Sequence, residues 1–228
     1  MIISHKHRFI FIKSQKTGGT SLELALSRIC GEDDVITPLN ERHERERDQL
    51  GGLSPRNTDV ALLHHRLSDW ALTFRGKGRR AFWEHARAAE VRAWIGRSVW
   101  REYFKFSIER NPWDRAISLY WWRLRDSSYR PPMAEFFCTI PQHAISNLGF
   151  YTIGGDIVLD RVIRYENLSE EVARLSRELG LQSSMELTRA KGSTRRDRRP
   201  YEEVLGPEER AVIASRCARE IELLGYEF

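Results

Sequence analysis

A chain of 228 residues suits one domain with a hydrophobic core of its own. Its 41% hydrophobic, 11% aromatic and 30% charged residues exclude a disordered tail, a collagen-like repeat and a membrane bundle. The formal charge of +5 is carried by 31 arginines and 6 lysines; arginine's planar fork suits phosphate, sulfate and carboxylate ligands, although on composition alone a GC-rich coding bias is the simpler explanation.

The N-terminal "MIISHKHRFIFIKS" lacks a signal peptide's long apolar region and cleavage site, and no stretch approaches the roughly 18 uncharged apolar residues of a membrane span. A cytoplasmic protein with no membrane segment is expected. Arg8 to Lys13 ("RFIFIK") is β-branched and aromatic and predicts a strand buried on both faces, which opens the sheet. In "SQKTGGTSLELALSRICG", Thr20 and Glu23 have the spacing of a capping box, and Leu22, Leu26 and Ile29 continue at helical spacing until Gly31. The pattern is strand, glycine loop, helix. Residues 32 to 60 mix charges with two prolines and a Gly-Gly pair and show little apolar periodicity. The stretch 32–82 therefore reads as a variable excursion from the core, a candidate for the acceptor side. Within it, "VALLHHRLSDWAL" suits either a strand or a buried helical turn. After the basic "RGKGRR", Ala88, Val91, Trp94 and Ile95 fall on one helical face.

Tyr103 to Glu109 ("YFKFSIE") predicts a strand, and "RNPWDRAISLYWWRLRD" follows it. Asn111 is a good N-cap, Pro112 suits the first helical position, and Asp114 complements the helix dipole. Arg110 thus marks a strand-to-helix junction, with Ser118 about two turns further on. A Gly-Gly turn leads to a strand from Val162 to Tyr165 and a helix that Ser169 caps and Gly180 closes. The last helix runs from Pro207 to near Gly225. Cys30, Cys138 and Cys217 form no C-x-x-C pair and no metal-ligand spacing, and are expected to be reduced and buried. With no repeat or linker, the whole of 1–228 reads as a single α/β domain. Its sheet should be mainly parallel and flanked by helices, with ligands at the carboxyl ends of the strands.

Both junctions occupy such ends. In "KTGGTS", Gly18 and Gly19 let the backbone approach a ligand, and free amides at the helix start favour an anion. Lys16 adds a mobile charge, and Thr20 and Ser21 add hydroxyls. The lysine precedes the glycines, so this is not a Walker A loop. Taken alone, the hexapeptide is equally well an ordinary helix start, and Arg110 a surface ion-pair partner. Together they form two anion sites, as a nucleotide phosphorylated at two separate positions would need.

These residues carry a likeness. "FIKSQKTGGTSLE" followed by "YFKFSIERNPWDRAISLYWW" resembles the 5′- and 3′-phosphate-binding segments of sulfotransferases that use 3′-phosphoadenosine 5′-phosphosulfate. The carbohydrate-type branch, with motifs P-K-T-G-G-T-S and R-N-P-[WY]-D-R-x-x-S, is the part of that family it is similar to. "EHARAAEVRAWIG", "RVIRYENL" and "EIELLGYEF" look like stretches of small bacterial members; the likeness covers most of the chain and is weak across residues 32–82. The resemblance implies a P-loop-NTPase-like three-layer fold and transfer of a sulfuryl group to a hydroxyl or amine of a carbohydrate or glycolipid, without a metal or a nucleic-acid partner. It implies that Lys16, Thr17, Gly18, Gly19, Thr20 and Ser21 hold the 5′-phosphosulfate, Lys16 being catalytic, and that Arg110 and Ser118 hold the 3′-phosphate. "RAKGSTR" is similar to a basic loop that closes over the nucleotide, which suggests Lys191 and Gly192. Gln15 departs from the pattern by replacing proline, which implies a less rigid loop.

Such a reaction needs a base to take the acceptor's proton. His64, His65, Glu84 and His85 are the candidates. His85 is favoured because the similar bacterial members carry a histidine ahead of this helix; an ordinary core or surface histidine is the alternative for each. Trp83, Trp113, Trp121 and Trp122 suit either ring stacking or the core, and "RRDRR" from Arg195 to Arg199 suits either anion steering or a solvated loop. Two rival functions are a kinase-like nucleotide-dependent transferase and a noncatalytic basic module binding glycan or nucleic acid.

Overall fold

The structure is a computed structural model describing residues 1–65, 70, 80–181, 185, 187 and 197–228. Lys191 and Gly192, like Arg195 and Arg196, lie outside the described residues. The strands are β1 (Ile2–Ser4), β2 (Phe9–Phe11), β3 (Val35–Ile36), β4 (Phe104–Glu109), β5 (Thr152–Ile153), β6 (Asp156–Ile157) and β7 (Arg161–Arg164). Helices α1 (Gly19–Ser27), α2 (Glu41–Gln49), α3 (Ala88–Ile95), α4 (Arg97–Glu102) and α5 (Pro112–Arg123) come from the first half. Helices α6 (Met133–Thr139), α7 (Gln142–Ile145), α8 (Leu168–Glu178), α9 (Tyr201–Val204), α10 (Pro207–Arg216) and α11 (Ala218–Leu224) follow.

The main sheet has the order β3-β1-β2-β4-β7. The expected parallel arrangement holds for β2, β4 and β7, with Phe11 opposite Phe106 and Ile108 opposite Ile163. An antiparallel pair, β1 and β3, extends it at one edge, so the sheet is mixed and Arg8–Lys13 is not its first strand. Alternation along β2 sends its side chains both ways. Phe9 and Phe11 pack with Leu22, Leu26, Val172 and Leu175 of α1 and α8. Ile10 and Ile12 pack with Val91, Trp94 and Trp100 of α3 and α4. Each such fully buried side chain contributes about 1.5–3 kcal/mol relative to exposure. The sheet is therefore covered on both faces, and α5, α6, α10 and α11 gather a further cluster around Trp113, Ile117, Phe137 and Ile213.

Several local expectations give way to tertiary partners. Helix α1 has Gly18 at its N-cap with no side-chain cap, and it ends at Ser27, short of Gly31. Glu23 does not complete a capping box. It lies fully buried, 2.9 Å from the Met1 ammonium, 2.8 Å from Lys13 Nζ and 3.4 Å from Arg47 Nη2. Residues 32–60 are not an excursion: they supply edge strand β3 and helix α2, whose Arg47 is buried against Glu23 and Glu44. The pattern reads as an excursion because Glu23, the buried partner of Arg47, comes from another part of the chain. His64 ends a 3-10 turn, Leu62–His64, rather than standing on a strand. Helix α8 has Asn167, not Ser169, at its N-cap. The C-terminal helix breaks at Cys217 into α10 and α11. All three cysteines are free, but Cys138 is exposed.

Candidate functional site

Because β2, β4 and β7 run parallel, their carboxyl ends share one edge of the sheet. There the chain leaves as residues 12–18, as Arg110 and Asn111, and as the 3-10 turn Tyr165–Asn167. Ser14 Oγ donates to the Ile108 carbonyl and shares a 2.8 Å bond with Thr17 Oγ1, which fastens the first loop to β4. Thr17 and Thr20 are buried. Gly18 has φ 77°, and a Cβ there would lie 2.9 Å from Tyr165 Cε2, so both its conformation and its surroundings demand glycine. Lys16 also has a positive φ, 62°, and its ammonium stands 5.2 Å from the centroid of the Trp122 ring. A non-glycine residue in that region is strained, as functional loops often are.

At the second junction Asn111 caps α5 as expected: its side chain accepts from the Trp113 and Asp114 amides at 3.0 and 3.4 Å. Arg110 donates to Asp114 through Nε at 2.7 Å, with Nη2 at 2.5 Å. Its guanidinium lies over the Tyr165 ring, 4.6 Å from the centroid. Ser118, one turn beyond Asp114, is half-buried on the same side of the helix. Tyr165 therefore touches Gly18 with its edge and Arg110 with its face. It is what joins the two motifs, and sequence reasoning did not single it out, although it stands in the "RVIRYENL" stretch. Beside it, the Asn111 amide donates to Glu166 Oε1 at 2.6 Å. A cavity of about 300 Å³ opens there, lined by Asn111, Arg164, Glu166, Asn167, Tyr226 and neighbouring residues.

Of the four candidate bases, two reach this edge. His85 Nδ1 is 2.9 Å from the Lys13 carbonyl oxygen. A carbonyl only accepts, so Nδ1 carries the hydrogen of the neutral ring and Nε2 keeps its lone pair. Burial pushes the His85 pKa down to about 4, against the opposing pull of Glu84, leaving the ring neutral near pH 7. Glu84 Oε1 stands 3.8 Å from His85 Nε2 and pairs with Lys13 Nζ. Burial would raise the Glu84 pKa, but Lys13 outweighs it and the carboxylate is held below its usual range, a weaker base. The His64 ring instead packs against Gly96, and His65 Nε2 bonds the Val60 carbonyl at 3.2 Å. Trp83 and Trp122 are exposed, Trp113 is buried and Trp121 is half-buried, so the four divide between surface and core.

A buried network lies behind both junctions. Arg115 Nε is 3.0 Å from Glu109 Oε1, and its Nη2 is 2.9 Å from Glu220 Oε1. Burial raises the Glu109 pKa to about 7; Arg115 opposes the rise and Glu220 adds to it. Nothing in the local pattern of "SIERN" announces this arrangement.

Comparison with known proteins places these features. The model of the family described as Sulfotransferase family matches residues 1–146, which contain the glycine loop, His85, Arg110 and Ser118. An uncharacterized protein of Archaeoglobus fulgidus is 27% identical over 101 residues, covering 42% of this chain and 84% of that protein. The crystal structure of a sulfotransferase from Alicyclobacillus acidocaldarius is similar at a TM-score of 0.43 and 16% identity, covering 97% of this chain and 96% of that one.

Proposed function

This chain belongs to the sulfotransferase family, and from that premise we propose that it transfers a sulfuryl group from 3′-phosphoadenosine 5′-phosphosulfate to a hydroxyl or amine of a carbohydrate or glycolipid. One observation supports the reading: a single ring, Tyr165, packs on Gly18 and under Arg110, which sets the two proposed anion-binding junctions side by side. The arrangement of glycine loop and α1 start is P-loop-like, and it accounts for the buried Thr17 and Thr20 hydroxyls and the amides of a helix without a side-chain cap.

In this reading the loop Lys16–Ser21 holds the 5′-phosphosulfate, and Arg110 with Ser118 holds the 3′-phosphate. Lys191 and Gly192 are proposed to cover the nucleotide. His85 Nε2 takes the proton from the acceptor as its oxygen or nitrogen bonds to sulfur and the bond from sulfur to the bridging oxygen breaks. Lys16 stabilises the negative charge that grows on that leaving oxygen. Trp83, exposed beside His85, suits stacking against the C–H face of a sugar ring. The three free thiols suit a cytoplasmic setting. The whole chain serves as one catalytic unit, since Leu224 packs into the same core as Met1 and Ile10.

Calorimetry tests this. Wild-type protein should bind 3′-phosphoadenosine 5′-phosphate. Arg110→Ala should weaken that binding by about tenfold or more, the worth of a charged hydrogen bond, while affinity for adenosine 5′-phosphosulfate changes little. Equal losses for both ligands would reject the 3′-phosphate assignment. Tighter binding of magnesium ATP than of 3′-phosphoadenosine 5′-phosphate would favour the kinase-like reading.

A further inference from the structure

Gln15 stands where the similar motif carries proline, a residue whose ring sets φ and removes the N–H. Here both main-chain groups of Gln15 are held by one side chain, 132 residues away. The Gln15 N–H donates to Asn147 Oδ1 at 3.2 Å, and Asn147 Nδ2 donates to the Gln15 carbonyl at 2.9 Å. Those atoms belong to the two peptide planes that flank the Gln15 Cα, and the second plane runs through the Lys16 nitrogen to the Lys16 Cα. Lys16 follows at φ 62°.

Asn147 is itself fixed. It is 1% exposed. Its N–H donates to Glu220 Oε1 at 2.7 Å, and Nδ2 also donates to Glu109 Oε1 at 3.2 Å. Arg115 bridges those carboxylates and donates through Nη1 to the Ile145 carbonyl at 2.6 Å. Both Nδ2 hydrogens and Oδ1 are thus used, and turning the amide over would set its oxygen against a carbonyl and a carboxylate. Glu109 is the last residue of β4 and precedes Arg110, so this one side chain connects the glycine loop to the strand end of the second junction.

We propose that Asn147 is the positioning residue of the glycine loop: by gripping the peptide groups on both sides of Gln15 it holds Lys16 in its left-handed conformation. This rests on the reading of Lys16 as the group that stabilises the leaving oxygen. The clamp supplies from a distance the restraint that proline would supply locally.

Turnover is measured as release of labelled sulfate from saturating 3′-phosphoadenosine 5′-phosphosulfate to water, and donor-site affinity as the Kd for 3′-phosphoadenosine 5′-phosphate. Asn147→Ala should lower turnover by about a hundredfold, as loss of catalytic alignment does, while Kd rises by less than about tenfold, because Arg110 and Ser118 still hold the 3′-phosphate in the proposed site. Adding Gln15→Pro to that variant should recover about tenfold of the loss, because the ring restrains residue 15 where the amide no longer does. Amide exchange across Lys16–Gly19 should quicken in Asn147→Ala and slow again in the double variant. Unchanged turnover, or parallel losses of turnover and affinity with no recovery by Gln15→Pro, would overturn the proposal. Asn147→Ser carries the same readings if the alanine variant does not fold. Lys16→Ala separates the two levels. Full turnover in Lys16→Ala removes the assigned role of Lys16, whereas loss of turnover there with full turnover in Asn147→Ala removes only the clamp.

Discussion

At the scale of single residues, the proposed chemistry turns on which atom of His85 is available. The Lys13 carbonyl occupies Nδ1, and burial holds the pKa near about 4. Neutral imidazole therefore persists well below pH 6.5, and the acid limb of kcat/KM should fall near pH 4; a limb near pH 6.5 would count against His85 as the base. His85→Ala should lower kcat by about a hundredfold or more while leaving nucleotide affinity in place. The sign for stability follows from the same depression. Between pH 6.5 and about 4 the unfolded chain binds the proton first, so the His85 contribution is lost as pH falls through that window. Glu109 acts oppositely: its raised pKa lets the folded state hold a proton that the unfolded chain has released, so its contribution is lost as pH rises from 4.5 to about 7. A flatter pH dependence of unfolding between pH 4 and 6.5 in His85→Ala checks the first of these.

At the scale of elements, the start of α1 depends on Gly18. Alanine there meets both the left-handed φ, a cost of roughly 1–2 kcal/mol, and Tyr165 Cε2 at 2.9 Å. Because Arg110 rests on that ring, displacement of Tyr165 moves both junctions together. Gly18→Ala should therefore weaken adenosine 5′-phosphosulfate and 3′-phosphoadenosine 5′-phosphate alike, unlike Arg110→Ala. Calorimetry with both ligands checks this, and a selective loss of one would show that the junctions are not coupled through Tyr165. Helix α1 needs no local cap for its placement, since Glu23 anchors it to Lys13 of the β2 end and to Arg47 of α2.

At the scale of the whole molecule, the proposed site spans the ends of three parallel strands covered by helices on both faces. A ligand held across those ends binds only the folded chain, so it stabilises the fold by mass action. At about a hundred times its Kd, 3′-phosphoadenosine 5′-phosphate should add about 2.7 kcal/mol, which for a chain of this size raises Tm by about 5–10 °C. Thermal unfolding with and without the nucleotide measures it. The shift should shrink in Arg110→Ala at the same concentration, and an unmoved Tm in the wild type would exclude a nucleotide bound across the sheet edge.

The residues that bend the chain locally could be read directly. The paired glycines at 18 and 19, the Asn-Pro cap at 111 and 112, and the alternating apolar run of β2 act within a few residues, so their positions were legible, as was the likeness to sulfotransferases. The same rule explains the failures. Glu23 has capping-box spacing but buries itself beside Lys13 and Arg47, because paired cations in a dry interior outweigh one solvated amide bond. The charged run around Arg47 reads as an excursion from the core because the buried Glu23 that receives Arg47 lies outside the run. Tyr165 and Asn147 carry no local mark either, since their contacts with the glycine loop, at Gly18 and Gln15, span more than a hundred residues of chain. Sequence alone determined where the strands turn into helices and what charges stand at those turns. Only the packed sheet decided which turns meet, because contact between distant residues is set by strand order and burial.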